Sequence, residues 1–328
     1  MVERDVMIPA MRRPALLVLG ALLAGLAGCA GVPPQVATPQ PPPPVVAPPA
    51  PVPPPPKIAL VLGGGAARGF AHVGVIKTLE THGIHPDMVV GTSAGAVVGA
   101  LYAAGYSGFD LQKVALQLDE AAIGDWALPD RGVIRGEALQ NFINRAVQNR
   151  PLEKLNFPFA VVATDLQSGE RIVFRSGNTG IAVRASSSVP GVFQPVKIAG
   201  REYVDGGLVS PVPVRAARAL GADIVIAVDI SRKPDDAKIR DSVDMLLQTF
   251  AIMGRTLASY ELTEADVVIR PATAAIGGSD FTARNIAILE GERAALAALE
   301  PIRARIAAAA HHGPPGVPAR QEADAGRR

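Results

Sequence analysis

Short apolar segments recur along the middle of the chain, separated by longer stretches in which apolar residues follow a helical period. The short segments, such as the VVAT and IVIAVDI runs, are apolar at consecutive positions. This is typical of strands buried on both faces of a parallel sheet. Strands are predicted at 57–63, 87–91, 158–166, 171–174, 223–230 and 266–271. A further short strand is expected directly before 203-YVDGGLVSP-211.

The stretches between these strands predict helices. Val73, Ile76 and Leu79 fall on one face of the first, which Gly83 ends. A turn that continues as a helix is predicted over 64–83, and further helices are predicted at 94–105, 136–147, 212–221, 240–262 and 284–306. Because strands and helices alternate, the pattern predicts an α/β fold, a three-layer α/β/α sandwich with a mostly parallel central sheet.

The N-terminal segment has the pattern of an export signal. Arg12 and Arg13 precede the apolar run 14–28, which ends in small residues. The run is shorter than the about 20 apolar residues that a membrane-spanning helix needs. Met11 is an alternative start to Met1, since the two arginines follow it directly.

The end of this signal is more specific, because 26-LAGC-29 resembles the lipobox of bacterial lipoproteins. In those proteins the cysteine is lipidated and becomes the first residue of the mature chain. Cys29 is the only cysteine in the sequence, so no internal disulfide is expected. The pattern predicts a lipoprotein signal peptide over residues 1–28 and a lipid anchor on Cys29. The alternative is an ordinary signal with a cysteine there by chance.

The residue after the cysteine bears on location. Ala30 follows Cys29, with no aspartate beside it. By resemblance to the sorting of bacterial lipoproteins, this favours the outer membrane of the cell envelope, facing the periplasm, over the inner membrane.

Residues 29–56 are expected to form a tether. Proline dominates 33–56, and because it fixes φ and donates no backbone hydrogen bond, polyproline II or disordered chain is expected. Fully extended, these 24 residues would reach about 75 Å. A proline-rich ligand for a partner protein is the alternative. The end of the chain, 311–328, predicts a disordered tail, which leaves residues 57–310 as one folded domain.

The charge balance argues against nucleic-acid binding. The formal net charge is +2, and aromatic residues make up 4% of the chain. Neither a basic surface for phosphates nor a platform for stacked bases is therefore expected. We expect no nucleic-acid partner.

Candidate chemistry falls where predicted strands end, which is where functional groups collect in such sheets. The sequence 91-GTSAG-95 lies between a strand and a helix. A nucleophile elbow needs this context and small flanking residues, which Gly91 and Gly95 supply. The N-terminus of the following helix favours negative charge that develops beside Ser93. We predict that Ser93 is a nucleophile; the alternative is a structural serine in a turn.

A nucleophilic serine needs a base. The five histidines are His72, His82, His85, His311 and His312. The first three precede the serine and the last two lie in the predicted tail, so surface or capping roles are expected for all. The remaining candidate is Asp205, directly before Gly206-Gly207, because burial would raise its pKa and make it a better base. The alternative for Asp-Gly-Gly is a hairpin turn.

The glycine run 63-GGGAARG-69 has two interpretations. It could cradle a dinucleotide pyrophosphate, but it lacks the middle glycine of G-x-G-x-x-G, and the next strand has its acidic residue, Asp87, at the wrong end. Alternatively, its backbone N–H groups form an oxyanion hole. Arg68 would orient this loop or hold a lipid phosphate. We favour the oxyanion hole and expect no nucleotide cofactor.

Three segments together resemble the bacterial patatin-like phospholipases: 58–106, 185-ASSSVPGVFQPV-196 and 203-YVDGG-207. That family has a glycine-rich oxyanion loop with an arginine, a G-x-S-x-G elbow and a D-G-[GA] motif. It uses a Ser–Asp dyad without histidine on a three-layer α/β fold. The resemblance covers nearly all of the predicted domain, and the motifs stand in the family's order.

The resemblance implies that Ser93 is the nucleophile and Asp205 the proton acceptor. It implies an oxyanion-binding loop made of Gly64, Gly65, Ala66, Arg68 and Gly69. The glycines that support the elbow and the dyad are Gly91, Gly95, Gly206 and Gly207. Ala66 departs from the family, since many members carry glycine there, but its backbone N–H remains and little consequence is expected.

These observations predict a lipid-anchored acyl-ester hydrolase that cleaves phospholipid or lysophospholipid without a metal or cofactor. The alternatives are a catalytically silent lipoprotein that serves as a binding or scaffold module, and a nucleotide-binding protein. Trp126, in the segment 119–136, is the only tryptophan. It either fills the core or lines an acyl channel above Ser93.

Overall fold

The computed structural model describes residues 54–118, 134–231, 239 and 241–312, all within the unit Pro51–Arg328. The predicted signal, Cys29 and nearly all of the proline tether lie outside these residues. So do Trp126 with most of its segment, residues 313–328, and the side chains of His311 and His312.

Among the described residues, eight strands form one mixed sheet. They are β1 (Ile58–Leu62), β2 (Met88–Thr92), β3 (Phe159–Asp165), β4 (Arg171–Phe174), β5 (Val196–Ile198), β6 (Arg201–Asp205), β7 (Ile224–Val228) and β8 (Val267–Ile269). Their order is β5-β6-β3-β2-β1-β7-β8, and β4 also pairs with β3. The strands β3, β2, β1, β7 and β8 run parallel, whereas β4, β5 and β6 join by antiparallel pairing.

Helices cover both faces of this sheet. They are α1 (Phe70–Thr81), α2 (Ala94–Ala103), α3 (Gly108–Gln117), α4 (Glu137–Ala146), α5 (Thr179–Ser186), α6 (Val214–Ala219), α7 (Ser242–Leu262) and α8 (Arg284–His312). Alternate residues of the strands point to opposite faces, and each face packs in its own core. Leu60 and Leu62 belong to the core with α1 and α8, and Val61 to the core with α6 and α7. The predicted α/β sandwich is confirmed.

Three elements were not predicted from the sequence: α3, α5 and β5. The helices are short, and α3 depends on a capping box in which Ser107 and Asp110 bond reciprocally. The strand β5 has three residues and pairs only with β6. Such elements carry too few apolar positions for a period to be recognised.

The pairing of β3 brings two distant strands end to end. Its residues Phe159–Val162 pair with β2 and Ala163–Asp165 with β6, whereas Val161–Thr164 pair with β4. A strand has only two edges. The residues of β3 that pair with β4 overlap those that pair with β2 and with β6, so β4 occupies one edge of β3, and β2 and β6 lie one after the other along the opposite edge. The register sets Thr92 opposite Val162 and Asp205 opposite Ala163. The two strand ends therefore meet.

Candidate active site

Ser93 occupies the turn between β2 and α2. Its φ of 54° and ψ of −121° lie outside the helical and extended regions, at a cost of about 1–3 kcal/mol for a residue with a Cβ. Its backbone N–H donates to Ser186 Oγ at 2.8 Å. Only 9% of the residue is exposed. A strand, a strained serine and a helix in this order have the geometry of a nucleophile elbow.

Two glycines make this turn possible. A Cβ on Gly95 would overlap the carbonyl oxygen of Leu62, and one on Gly91 would lie 2.5 Å from Gly95 O. Neither could be relieved by moving a flexible side chain, because the obstructing atoms belong to the backbone. Gly95 therefore lets α2 begin directly against β1, and Gly91 lets the same helix start lie against β2, which places the helix N-terminus beside Ser93.

Asp205 ends β6 and begins a short 3₁₀ turn, Gly206–Leu208. Its Oδ1 accepts from the Gly207 N–H at 2.7 Å. Its backbone is fixed on both sides, since its N–H donates to Ser188 O at 3.0 Å and its carbonyl accepts from Thr164 Oγ1 at 2.8 Å. The predicted Asp-Gly-Gly motif thus forms the end of a sheet strand and the turn after it.

Burial raises the pKa of Asp205 to about 6, while the Ser93 hydroxyl and the Gly207 N–H act in the opposite direction. Its second oxygen, Oδ2, is buried and makes no hydrogen bond of normal length and angle within the described residues. The Ser93 hydroxyl nevertheless lies close enough to the carboxyl to lower this pKa. The structure brings Ser93 and Asp205 together.

Two amides of the predicted oxyanion loop form hydrogen bonds within the protein. The Gly64 N–H donates to Pro211 O at 2.9 Å, and the Arg68 N–H donates to Gly65 O at 3.2 Å. Gly64 itself lies against the elbow, since a Cβ there would be 3.3 Å from that of Ser93. The N–H groups of Gly65 and Ala66 make no hydrogen bond within the described part of the chain. These two amides are therefore the donors that an oxyanion could use.

Ala66 and Gly69 shape the same loop. Ala66 is exposed and has a φ of 51°, which costs an alanine about 1–2 kcal/mol and a glycine nothing. Gly69 lies against the elbow helix, because a Cβ at this position would be 2.7 Å from that of Ala94 at the start of α2. The loop therefore packs directly on the elbow helix.

Arg68 is 6% exposed and turns inward. Its Nε donates to Ile230 O at 2.9 Å and its Nη1 to Ile276 O at 3.3 Å. Of the two roles considered for this side chain, these contacts match orientation of the loop. The guanidinium ties the glycine run to the segments that follow β7 and β8.

One prediction about the histidines is wrong. His72 is fully buried rather than on the surface or at a cap, and its Nε2–H donates to Gly63 O at 2.8 Å. Burial lowers its pKa to about 4, so it is neutral near pH 7 and supports the glycine loop from behind. His82 and His85 are exposed, and His82 Nδ1 contacts Thr78 O at 2.8 Å at the end of α1.

Three buried polar residues to which the sequence assigned no role, Ser186, Ser210 and Glu261, support the site through hydrogen bonds. Ser186 accepts from the Ser93 N–H and donates to Val162 O at 2.5 Å. Ser210 accepts through its carbonyl from Thr92 Oγ1 at 2.9 Å and donates through its hydroxyl to Glu261, at 2.8 and 2.9 Å. Their partners lie far apart in sequence, so only the serine-rich run 185–188 offered a signal.

Glu261, on α7, is 4% exposed and pairs with Arg171 at 3.3 Å. Burial raises its pKa to about 7, against the effects of Ser210 and Arg171. It is a second carboxyl whose pKa lies near neutrality at this end of the sheet. Within the described residues, no group of three His, Cys, Asp or Glu side chains is arranged to hold a metal ion.

Residues 60–218, which contain the glycine loop, the elbow and the Asp-Gly-Gly turn, match the patatin-like phospholipase family. This match supports the patatin-like phospholipase family for that part of the chain. Over 181 residues, or 53% of the chain, an uncharacterized NTE family protein of Mycobacterium tuberculosis is 36% identical. The human patatin-like phospholipase domain-containing protein 6 is 35% identical over 186 residues, or 54% of the chain.

The chain spans 49% of the length of the mycobacterial relative and 14% of the human one. Among solved structures, VipD from Legionella pneumophila aligns with a TM-score of 0.53 at 16% identity, over 75% of this chain and 67% of VipD. That likeness concerns the fold.

Proposed function

We propose that this protein is a serine acyl-ester hydrolase that cleaves the acyl esters of phospholipid or lysophospholipid. The observation that carries the proposal is the meeting of two strand ends, where the strained, buried Ser93 lies beside the buried carboxyl of Asp205. The patatin-like family and the phospholipase name of the human relative support the lipid substrate. The head group and the acyl position are left open.

In this mechanism, Asp205 accepts the Ser93 proton as Oγ attacks the ester carbonyl. The oxygen that becomes negative is stabilised by the N–H groups of Gly65 and Ala66 and by the N-terminus of α2. Asp205 then returns the proton to the leaving alcohol, and an acyl-enzyme remains on Ser93. Water then attacks this ester while Asp205 accepts a proton from it, and Asp205 returns that proton to Ser93 Oγ as the fatty acid leaves.

A fluorophosphonate probe tests this activity. Such a probe forms a covalent adduct only with an activated serine, so the full chain should be labelled, and Ser93→Ala should not. Labelling of the wild-type chain together with turnover of a monomeric short-chain ester supports the hydrolase. A folded chain that neither labels nor turns over an ester would instead be a silent patatin-like fold with a scaffold role.

We expect kcat/KM for a soluble ester to fall as the pH is lowered through about 6. Asp205 accepts a proton only when it is ionised, and burial raises its pKa to about 6. Below that pH the rate should drop about tenfold per pH unit. A profile measured between pH 4 and 8 checks this. A fall that begins only near pH 4, where an exposed aspartate titrates, would contradict the role of burial.

Glu261 provides the control for this profile, since its pKa is raised to about 7. In Glu261→Gln this second buried carboxyl no longer titrates, so the fall near pH 6 should persist if it belongs to Asp205. If the fall disappears in this variant, the profile belongs to Glu261 and the assignment to Asp205 is wrong.

We further propose that a lipid on Cys29 anchors the protein to the outer membrane, facing the periplasm. Within the described residues, no helix combines the length and apolar character required to cross a bilayer. Cys29→Ala should therefore shift the protein from the membrane fraction to the soluble fraction after processing. Retention of the variant through a carbonate wash would show that another segment holds it.

A further inference from the structure

One face of α7 is exposed and carries no charge. At 3.6 residues per turn, eight of its residues fall within about a third of the helix circumference. All eight are exposed: Ser242, Met245, Thr249, Ile252, Met253, Thr256, Ser259 and Tyr260. The exposed fractions of the four large side chains reach 54% for Met245, 50% for Ile252, 52% for Met253 and 64% for Tyr260. An exposed helix face normally carries charged residues.

The N-terminal half of α7 is apolar but poorly covered. The ten residues 245-MLLQTFAIMG-254 include no charge, and not one of them is buried. The residues of α7 that pack into the sheet, Ala258 and Leu262, lie in its last turns. A contiguous exposed apolar surface of this kind marks an interaction site.

This half of α7 passes along the candidate active site. Leu246 lies at Gly191, since a Cβ there would meet its Cδ2 at 2.8 Å. Gly254 faces Gly207, with a Cβ position 3.9 Å from the Gly207 carbonyl. Further along, Glu261 bonds Ser210. Gly254 and Glu261 lie on the side of α7 opposite to the uncharged face, and Leu246 lies beside the edge of that face. The helix is therefore fixed to the rim of the site while the uncharged face points outward.

We propose that the uncharged face of α7 docks on the surface of a phospholipid bilayer. This docking would bring the rim of the candidate active site to the lipid substrate. The inference rests on the proposed function, because a lipid hydrolase must meet its substrate at such a surface. An amphipathic helix of this kind lies in the plane of the interface, with apolar side chains among the acyl chains. Tyr260 suits the boundary, since its ring is apolar and its hydroxyl polar.

The charges of α7 fit this occupant. Between Asp244 and Glu261 the only charged residue is Arg255, which is exposed, with Ile252 and Ser259 three and four positions away on the neighbouring turns. A single cation at the edge of an apolar face can bury its aliphatic stem and reach the phosphates of lipid head groups. A second copy of the chain would place two such arginines against the same apolar surface, which makes it the less suitable partner.

A site-specific fluorophore tests the docking in the full chain, since Cys29 is the only cysteine. In a Cys29→Ser background, Ile252→Cys places an environment-sensitive dye on the uncharged face of α7. Leu296→Cys, on α8, is the matched control, because Leu296 is 51% exposed and Ile252 is 50% exposed. Vesicles of phosphatidylethanolamine and phosphatidylglycerol should shift the emission at 252 to the blue, and nitroxide-labelled lipids should quench it.

The control position should show neither change. An equal response at both positions, or none at 252, overturns the proposal. A blue shift at 252 that needs no vesicles and grows with protein concentration identifies a second copy as the partner and also overturns it. The measurement involves no turnover, so insertion without hydrolysis refutes the proposed function alone, and hydrolysis of a soluble ester without insertion refutes the docking alone.

A kinetic comparison tests the consequence for the reaction. Ile252→Glu with Met253→Glu should lower the ratio of vesicle hydrolysis to soluble-ester hydrolysis by about tenfold or more, because two side chains lose their burial in lipid. The control pair, Ile286→Glu with Leu289→Glu, adds the same charge at residues that are 59% and 44% exposed. It should leave the ratio unchanged. An equal fall in both pairs would show a general effect of charge and overturn the proposal.

Discussion

Replacing Ser93 with alanine, or Asp205 with asparagine, is expected to lower kcat for ester hydrolysis by about 10⁴-fold or more. Each change removes one member of a pair that acts as a unit, so the double variant should be little worse than either single one. Turnover of a monomeric short-chain ester measures the loss. It avoids any dependence on binding to a lipid surface.

Folding should survive both changes. Because burial raises the pKa of Asp205 to about 6, the folded state favours its protonated form, and ionisation at pH 7 opposes folding. The neutral amide removes this opposition and keeps an oxygen for the Gly207 N–H. Melting temperatures should therefore be unchanged or higher for Asp205→Asn.

The histidine pair supplies the control for this prediction. His311→Ala with His312→Ala should leave the rate unchanged, since neither residue takes part in the proposed proton transfer. A silenced enzyme in that double variant, with Asp205→Asn still active, would establish a triad with histidine and refute the dyad.

Gly95→Ala should destabilise the fold by about 3 kcal/mol and abolish fluorophosphonate labelling of the remaining folded protein. A Cβ at this position would overlap the Leu62 carbonyl oxygen. Since backbone cannot turn away as a side chain can, α2 must move off β1. The elbow that holds Ser93 is built on that contact. Urea unfolding and labelling measure the two effects.

Gly277→Ala is the matched control, because the nearest atom to its Cβ position is Asp280 Cβ, at 3.7 Å, an ordinary contact. This variant should unfold at the wild-type urea concentration and label normally. If Gly95→Ala also labels normally, the close packing of α2 on β1 does not determine the elbow, and its geometry has another origin.

The elbow could be predicted because its determinants are local. A strand, two glycines around Ser93 and a helix follow one another within a few residues, and each has its own sequence signal. The predicted helix 240–262 corresponds closely to α7 (Ser242–Leu262) for the same reason. The short elements α3, α5 and β5 were missed, because a few residues do not establish a period.

The oxyanion loop shows where local inference ends. The glycine run predicts a set of backbone amides near the serine, but it does not predict which of them donate hydrogen bonds within the protein. The Gly64 N–H donates to Pro211 O, which lies in a distant segment of the sequence. The N–H groups of Gly65 and Ala66 make no hydrogen bond within the described residues. The inward turn of Arg68 and the burial of His72 depend on the same long-range packing.

The sequence by itself determined the order of most strands and helices, the elbow around Ser93 and the motif that contains Asp205, because each depends on neighbours along the chain. Only the tertiary structure decided that β2 and β6 share one edge of β3, which brings these two residues together. It also decided that Ser186 holds Ser93 across 93 residues and that Glu261 holds Ser210 across 51. Strand pairing and buried hydrogen bonds join segments that no local pattern relates, so they are settled only when the whole sheet assembles.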